Sequence, residues 1–205
     1  MQIVDTLIDV LKLFILFIFC ALLYCAFTPT ATAITYYITP SDTNPEFKPE
    51  TRRILQTSSI NARYNIQEVD DPIYADITLE LRDTSSLDAF HLIPEYYPNT
   101  QKQIRFSLTW QIPKPYIAID KNNWTNGVPE SKLSLQEYRN YVIRHEFMHG
   151  LGFNHQPCNA NTVINGVCPV LYQATRGPPD GYKCGQDAIP IDFTKKLPNA
   201  YIKHG

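Results

Sequence analysis

Ala75, Ile77, Leu79 and Leu81 alternate with Asp76, Thr78 and Glu80, the two-residue period of a strand with one face on a core and the other on polar surroundings. The alternation returns in Ile104, Phe106, Leu108, Trp110 and Ile112. Pro113-Lys114-Pro115 breaks it, since proline cannot donate to a strand ladder. Tyr116 to Asp120 then predicts a short strand paired antiparallel with the one before. Upstream, the β-branched and aromatic run Ala33 to Thr39 predicts a first strand, followed by a polar, proline-punctuated link from Pro40 to Pro49. Glu50 to Tyr64 predicts a helix burying Ile54, Leu55 and Ala62. His91 falls in a loop between strands and reads as a surface residue.

A polar turn, Lys121 to Glu130, precedes Ser134-Leu135-Gln136-Glu137. Serine followed three positions later by glutamate is the capping-box pattern, which satisfies backbone donors at a helix start. The helix it opens offers Leu135, Tyr138, Val142 and Phe147 for burial and is ended by Gly150 and Gly152. Beyond Cys158 the periodicity stops, and Pro169, Gly177-Pro178-Pro179, Gly181 and Gly185 predict loops suited to walling a site. The expected fold class is α+β, in one domain over residues 34–205.

That helix runs into His145-Glu146-Phe147-Met148-His149-Gly150-Leu151-Gly152-Phe153-Asn154-His155, which holds three of the five histidines of the chain. On a helix, His145 and His149 lie one turn apart on one face and can reach the same ion, with Glu146 beside them. Gly152 lets the chain turn and bring in His155. A catalytic zinc takes three protein ligands and keeps a fourth position open, and neutral imidazoles leave the ion enough charge to acidify a water there. The expected metal is Zn2+, held by His145, His149 and His155, with Glu146 as the general base. A single helix histidine or glutamate would be an ordinary surface residue; the spacing of the four together is what points to a metal. Tyr172 and Tyr182 are further candidates to donate to an oxyanion.

Composition narrows the setting. In 205 residues the net charge is -2, and no basic run exceeds Arg52-Arg53 or Lys195-Lys196, so no nucleic acid is expected as partner. Sixteen prolines, above the usual share of about 5%, favour rigid turns over long helices. Leu13 to Phe27 is free of charge, and at about 15 residues it suits a signal-peptide core, with Ala31-Thr32-Ala33 as a cleavage site. Asp5 and Asp9 against a lone Lys12 make a poor positive region, however, and Val10 and Leu11 lengthen the apolar run toward an anchor. Residues 1–33 are therefore read as a signal peptide or, preferred, a membrane anchor, and the remainder as lying outside the cytosol.

Cys20 and Cys25 belong to the apolar segment, leaving Cys158, Cys168 and Cys184. One disulfide among these three is expected in an oxidising compartment, first between Cys158 and Cys184. Alternatively Cys158 is a fourth zinc ligand that closes the site. Asn123-Trp124-Thr125 matches a glycosylation sequon.

The stretch His145 to His155 resembles the long zinc motif of the metzincin metallopeptidases, HExxHxxGxxH, at every specified position. Asn123-Trp124, Gly127, Pro129, Tyr138-Arg139, Tyr141-Val142-Ile143, Cys158 and Pro169-Val170-Leu171 look like a family of exported bacterial metzincin-like proteins of unassigned function. The resemblance implies a mixed, mostly parallel twisted sheet whose antiparallel edge strand lines the cleft, an active-site helix and a loop-rich C-terminal subdomain. It also implies a peptidase acting on proteins or peptides, with Leu171 in the place of the Met-turn methionine. Here the chain departs from the pattern: its only methionines are Met1 and Met148, so none follows His155. Leucine, apolar and of similar volume, can keep a hydrophobic floor. The rival expectations are a zinc-stabilised binding domain with little or no activity and a zinc hydrolase of non-peptide amides.

Overall fold

Ile34, Tyr36 and Ile38 point into the core from the first strand, and Ile77 and Leu79 do the same from its parallel neighbour. The computed structural model describes residues 33–83, 107–110 and 114–187, together with residues 15, 17 and 18. The chain divides into two compact units, Met1–Thr32 and Ala33–Gly205, and the architecture below is that of the second. Its strands are β1 (Ile34–Ile38), β2 (Ile66–Glu68), β3 (Ile77–Arg82), β4 (Leu108–Trp110) and β5 (Tyr116–Asp120). They form one five-stranded sheet in the order β2-β1-β3-β5-β4. All neighbours are parallel except β4, which pairs antiparallel with β5 at the sheet edge and sets Thr109 opposite Ile117. The fold is α+β with a mixed sheet, as expected, and the 108–110 and 116–120 segments pair as anticipated. Ile104, Phe106, Ile112 and His91 lie outside the described residues.

The helix expected over Glu50 to Tyr64 is two helices, α1 (Phe47–Gln56) and α2 (Ser59–Tyr64). Ser58 breaks the run: its backbone is extended and its side chain accepts from the Asn61 N–H, capping a new helix. The break resets the helical phase, so Ile60 is buried while Ala62 is exposed, contrary to expectation. Lys121 to Glu130, expected as a polar turn, instead forms α3 (Lys121–Asn126) and a short 3-10 turn, Pro129–Ser131. Asp120, the last residue of β5, caps α3 by accepting from the Asn123 N–H at 2.8 Å.

The main helix, α4 (Leu135–Gly150), begins with the expected capping box between Ser134 and Glu137. Tyr138, Val142 and Phe147 are buried as expected, but Leu135, in the first turn, is 38% exposed. Trp124 of α3 is buried under Arg139 of α4, whose guanidinium lies 4.8 Å from the ring centroid and donates to the Trp124 carbonyl. The C-terminal end of α4 comes very close to the sheet. A Cβ on Gly150 would lie 3.2 Å from the Ile117 side chain and 3.5 Å from that of Ile77, so only glycine permits this approach without displacement. The C-terminal end of α4 therefore sits over the N-terminal ends of β3 and β5.

After α4 the described chain is turns, isolated bridges and one 3-10 turn, Ala174–Arg176. The disulfide joins Cys158 to Cys168, and Cys184 is free and buried. This corrects the expected Cys158–Cys184 pairing and removes Cys158 as a metal ligand. The cause is local: Ile164 and Val167 pair antiparallel and reverse the chain between the two bonded cysteines, whereas Lys183 runs parallel beside Val167. Among the described residues, no helix is long and apolar enough to cross a membrane.

Candidate metal centre

Helix geometry and a capped exit bring the three histidines together. At the end of α4, the Gly152 N–H donates to the His149 carbonyl and the Phe153 N–H to the Met148 carbonyl. Those two bonds make a Schellman motif with Gly152 at φ 88° in the left-handed position that glycine occupies without steric cost. The turn aims the Phe153 carbonyl back at the helix, where it accepts from His149 Nδ1 at 2.6 Å. His145 Nδ1 donates in the same way to the Val170 carbonyl at 2.7 Å. The next residues are tied in as well, with the Gln156 N–H on the Leu171 carbonyl.

A carbonyl can only accept, so Nδ1 carries the proton in both rings and each Nε2 presents a lone pair. The three Nε2 atoms converge: His145 Nε2 lies 3.0 Å from His149 Nε2 and 3.3 Å from His155 Nε2. Two acceptor nitrogens at that distance repel unless a proton or a cation sits between them. A tetrahedral ion with metal–nitrogen bonds of about 2.0–2.1 Å would hold its ligands roughly 3.3 Å apart. His145, His149 and His155 thus form a group able to hold a metal ion, with second partners of the kind that orient ligating imidazoles. Burial, reinforced by the neighbouring His149, keeps the His145 imidazole well below its usual range and favours the neutral, ligating form.

Glu146, next to His145 on the same turn, is close enough to His149 to interact with it electrostatically. The residue is 6% exposed, and burial raises its pKa against the opposing pull of His149 and a hydrogen bond from Thr109. The Thr109 hydroxyl donates to Glu146 Oε2 at 2.7 Å, which fixes one carboxylate oxygen to edge strand β4. The sequence alone did not single out Thr109. Its only local signal is its place in the sequence, a polar residue between the apolar Leu108 and Trp110.

Tyr141 is a second residue missed. Its hydroxyl donates to the Tyr172 carbonyl and accepts from the Ala174 N–H, both at 3.0 Å, and its ring centroid lies 5.0 Å from that of His145. It pins the loop behind the metal group to α4. Val170 and Leu171, fully buried, lie on that loop, so Leu171 is an apolar core position. Tyr172 donates its hydroxyl to the Gly177 carbonyl, and Tyr182 is half-buried in the turn after Pro179. Asn123 of the sequon lies in α3, half-buried, with a side-chain hydrogen bond to Tyr138. Burial lifts the free Cys184 thiol to about 11, leaving it protonated and unreactive.

No curated protein matches the chain. A family model described as "Protein of unknown function (DUF3152)" matches residues 61–192, about two thirds of the chain, from within α2 through the histidine cluster and the disulfide-bearing loops. By that match the chain belongs to the DUF3152 family.

Proposed function

We propose that this protein is a zinc-dependent endopeptidase that cleaves peptide bonds in protein or peptide substrates outside the cytosol. The observation that carries the reading is the convergence of three imidazole Nε2 atoms beside a buried carboxylate held by its own donor. The likeness of His145 to His155 to the metzincin motif supports the same assignment, with Zn2+ as the ion. When bound, zinc supplies a Lewis acid that acidifies water and polarises a carbonyl. Glu146 takes the proton from the attacking water and returns it to the departing amine nitrogen. Its raised pKa suits both halves of that task, since the carboxylic acid formed midway is not too strong to hold the proton. Supporting a peptide substrate, β4 is an edge strand that holds Thr109 against Glu146, and an extended peptide can pair with such an edge.

A binding domain stabilised by zinc needs the histidines but has no use for Glu146. Metal analysis and peptide-library cleavage on wild type and Glu146→Gln separate the two readings. The expected result is stoichiometric zinc in both proteins, with cleavage by wild type and a loss of at least about a hundredfold in the variant, the lower end of a general base's contribution. Zinc without cleavage in wild type would favour the binding domain. A wild type that bound no zinc would refute both.

A further inference from the structure

Pro169-Val170-Leu171-Tyr172 is a four-residue turn closed by the Tyr172 N–H on the Pro169 carbonyl at 2.9 Å. Three successive carbonyls leave it for three different places. That of Val170 accepts from His145 Nδ1, that of Leu171 from the Gln156 N–H beside His155, and that of Tyr172 from the Tyr141 hydroxyl. Two of the three imidazole arms are therefore referred to one turn, while His149 takes its partner from Phe153 at the helix exit. The turn belongs to no strand or helix, so its pose is set by what grips its ends. At the front, the disulfide ties Cys168 to Cys158. At the back, the single hydroxyl of Tyr141 holds both the Tyr172 carbonyl and the Ala174 N–H, each at 3.0 Å.

Tyr141 is 2% exposed. Phenylalanine would fill the same space and keep its ring against that of His145, without the cost of burying a hydroxyl. The hydroxyl is used instead as donor and acceptor at once, both times on the loop. It stands on α4 four residues before His145, about one helical turn, so one stretch of helix holds the ligand and, through the loop, the carbonyl that orients the ligand. We propose that Tyr141 is a positioning residue of the metal group. Its hydroxyl fixes the 169–172 turn so that the Val170 carbonyl keeps the His145 proton on Nδ1 and the Leu171 carbonyl holds the segment carrying His155. Tyr141 itself touches neither ion nor substrate in this role. Without the hydroxyl the turn is gripped at one end only, and an imidazole that loses its carbonyl partner loses both its tautomer and its ring orientation. The role rests on the zinc reading of the site and not on peptidase activity.

Tyr141→Phe in the full chain is the test, with zinc affinity measured by competition against a fluorescent chelator. The visible spectrum of the Co2+-loaded protein reports coordination geometry, and unfolding of the metal-free protein is the control for a purely structural role. Zinc affinity should fall about 10–100-fold, and the Co2+ absorption should lose intensity relative to wild type as the tetrahedral set loosens. A variant that is less stable without metal but equals wild type in zinc affinity and Co2+ spectrum would overturn the proposal. If Tyr141→Phe does not fold, Ala174→Pro removes only the N–H that the hydroxyl accepts from. Ala174 opens a 3-10 turn, as proline already does in Pro72–Tyr74 and Pro129–Ser131, and Gln173 before it has ψ 81°, outside the helical region. Zinc affinity in that variant should fall about tenfold, the lower end of the same range, and an unchanged affinity there would overturn the proposal equally. A wild type that bound no zinc would refute the zinc reading itself, whereas equal binding by wild type and variant refutes the role of Tyr141 alone.

Discussion

Thr109 shows how much one hydroxyl can decide at the scale of a residue. It donates to a carboxylate that has little access to water, so removing it leaves a buried acceptor oxygen without that donor. Thr109→Val, nearly isosteric, should lower stability by about 1–3 kcal/mol, read from denaturant unfolding, while Thr109→Ser keeps the donor and should restore most of it. Equal stability of the valine and serine variants would show that the hydroxyl does not hold the carboxylate. Its role was illegible in the sequence because the partner lies 37 positions away, as Val170 lies 25 from His145 and Tyr172 lies 31 from Tyr141. The histidines and Glu146 could be read because they share two turns of helix and one glycine exit, where spacing along the chain fixes spacing in space.

Among the elements, α4 was legible at its start because a capping box is a local chemical pattern, independent of what the helix packs on. Its exit was equally legible, since only glycine readily takes the backbone of residue 152. Gly152→Ala should cost about 1–2 kcal/mol. Because His149 and His155 are aimed by this turn, on the proposed zinc assignment it should also weaken zinc binding by about tenfold, which is 1.4 kcal/mol. Calorimetric titration with zinc is the measurement, and unchanged affinity would mean that the turn does not position His155. Elements whose signals were split between neighbours escaped the sequence reading. The cap of α3 is the terminal residue of a strand, β2 is three residues long, and Ser58 restarts a helix whose apolar phase had looked continuous.

For the whole molecule, one consequence of the sheet order is that its β2 edge is held to α1 by charge. Arg52 donates to both Glu68 carboxylate oxygens, at 2.6 and 2.8 Å, and Lys48 lies 3.6 Å away. The Arg52 hydrogen bonds, outweighing burial, hold the Glu68 carboxyl below its usual value. A folded-state pKa below the unfolded one, about 4.3, means the stabilisation is fully present above that pH and is lost as pH falls through the folded value. Glu68→Gln should therefore lower Tm at pH 6–7, and the gap from wild type should close below about pH 4. A gap that stayed constant into acid would place the effect in packing and not in charge.

The three imidazoles also differ in access to solvent: His145 is buried, His149 half-buried and His155 exposed. In coordination terms they are chelate arms of unequal stiffness. Two stand on one helix turn as a preformed bite, and the third comes from a loop whose position depends on a glycine turn and the Leu171 carbonyl. An ion would leave by the reverse of the order in which the arms are stiff, with His155 letting go first. On the proposed zinc assignment, the dissociation rate of the ion should therefore rise when the Gly152 turn or the Gln156–Leu171 hydrogen bond is weakened, while the helical pair sets how quickly the next ion is captured.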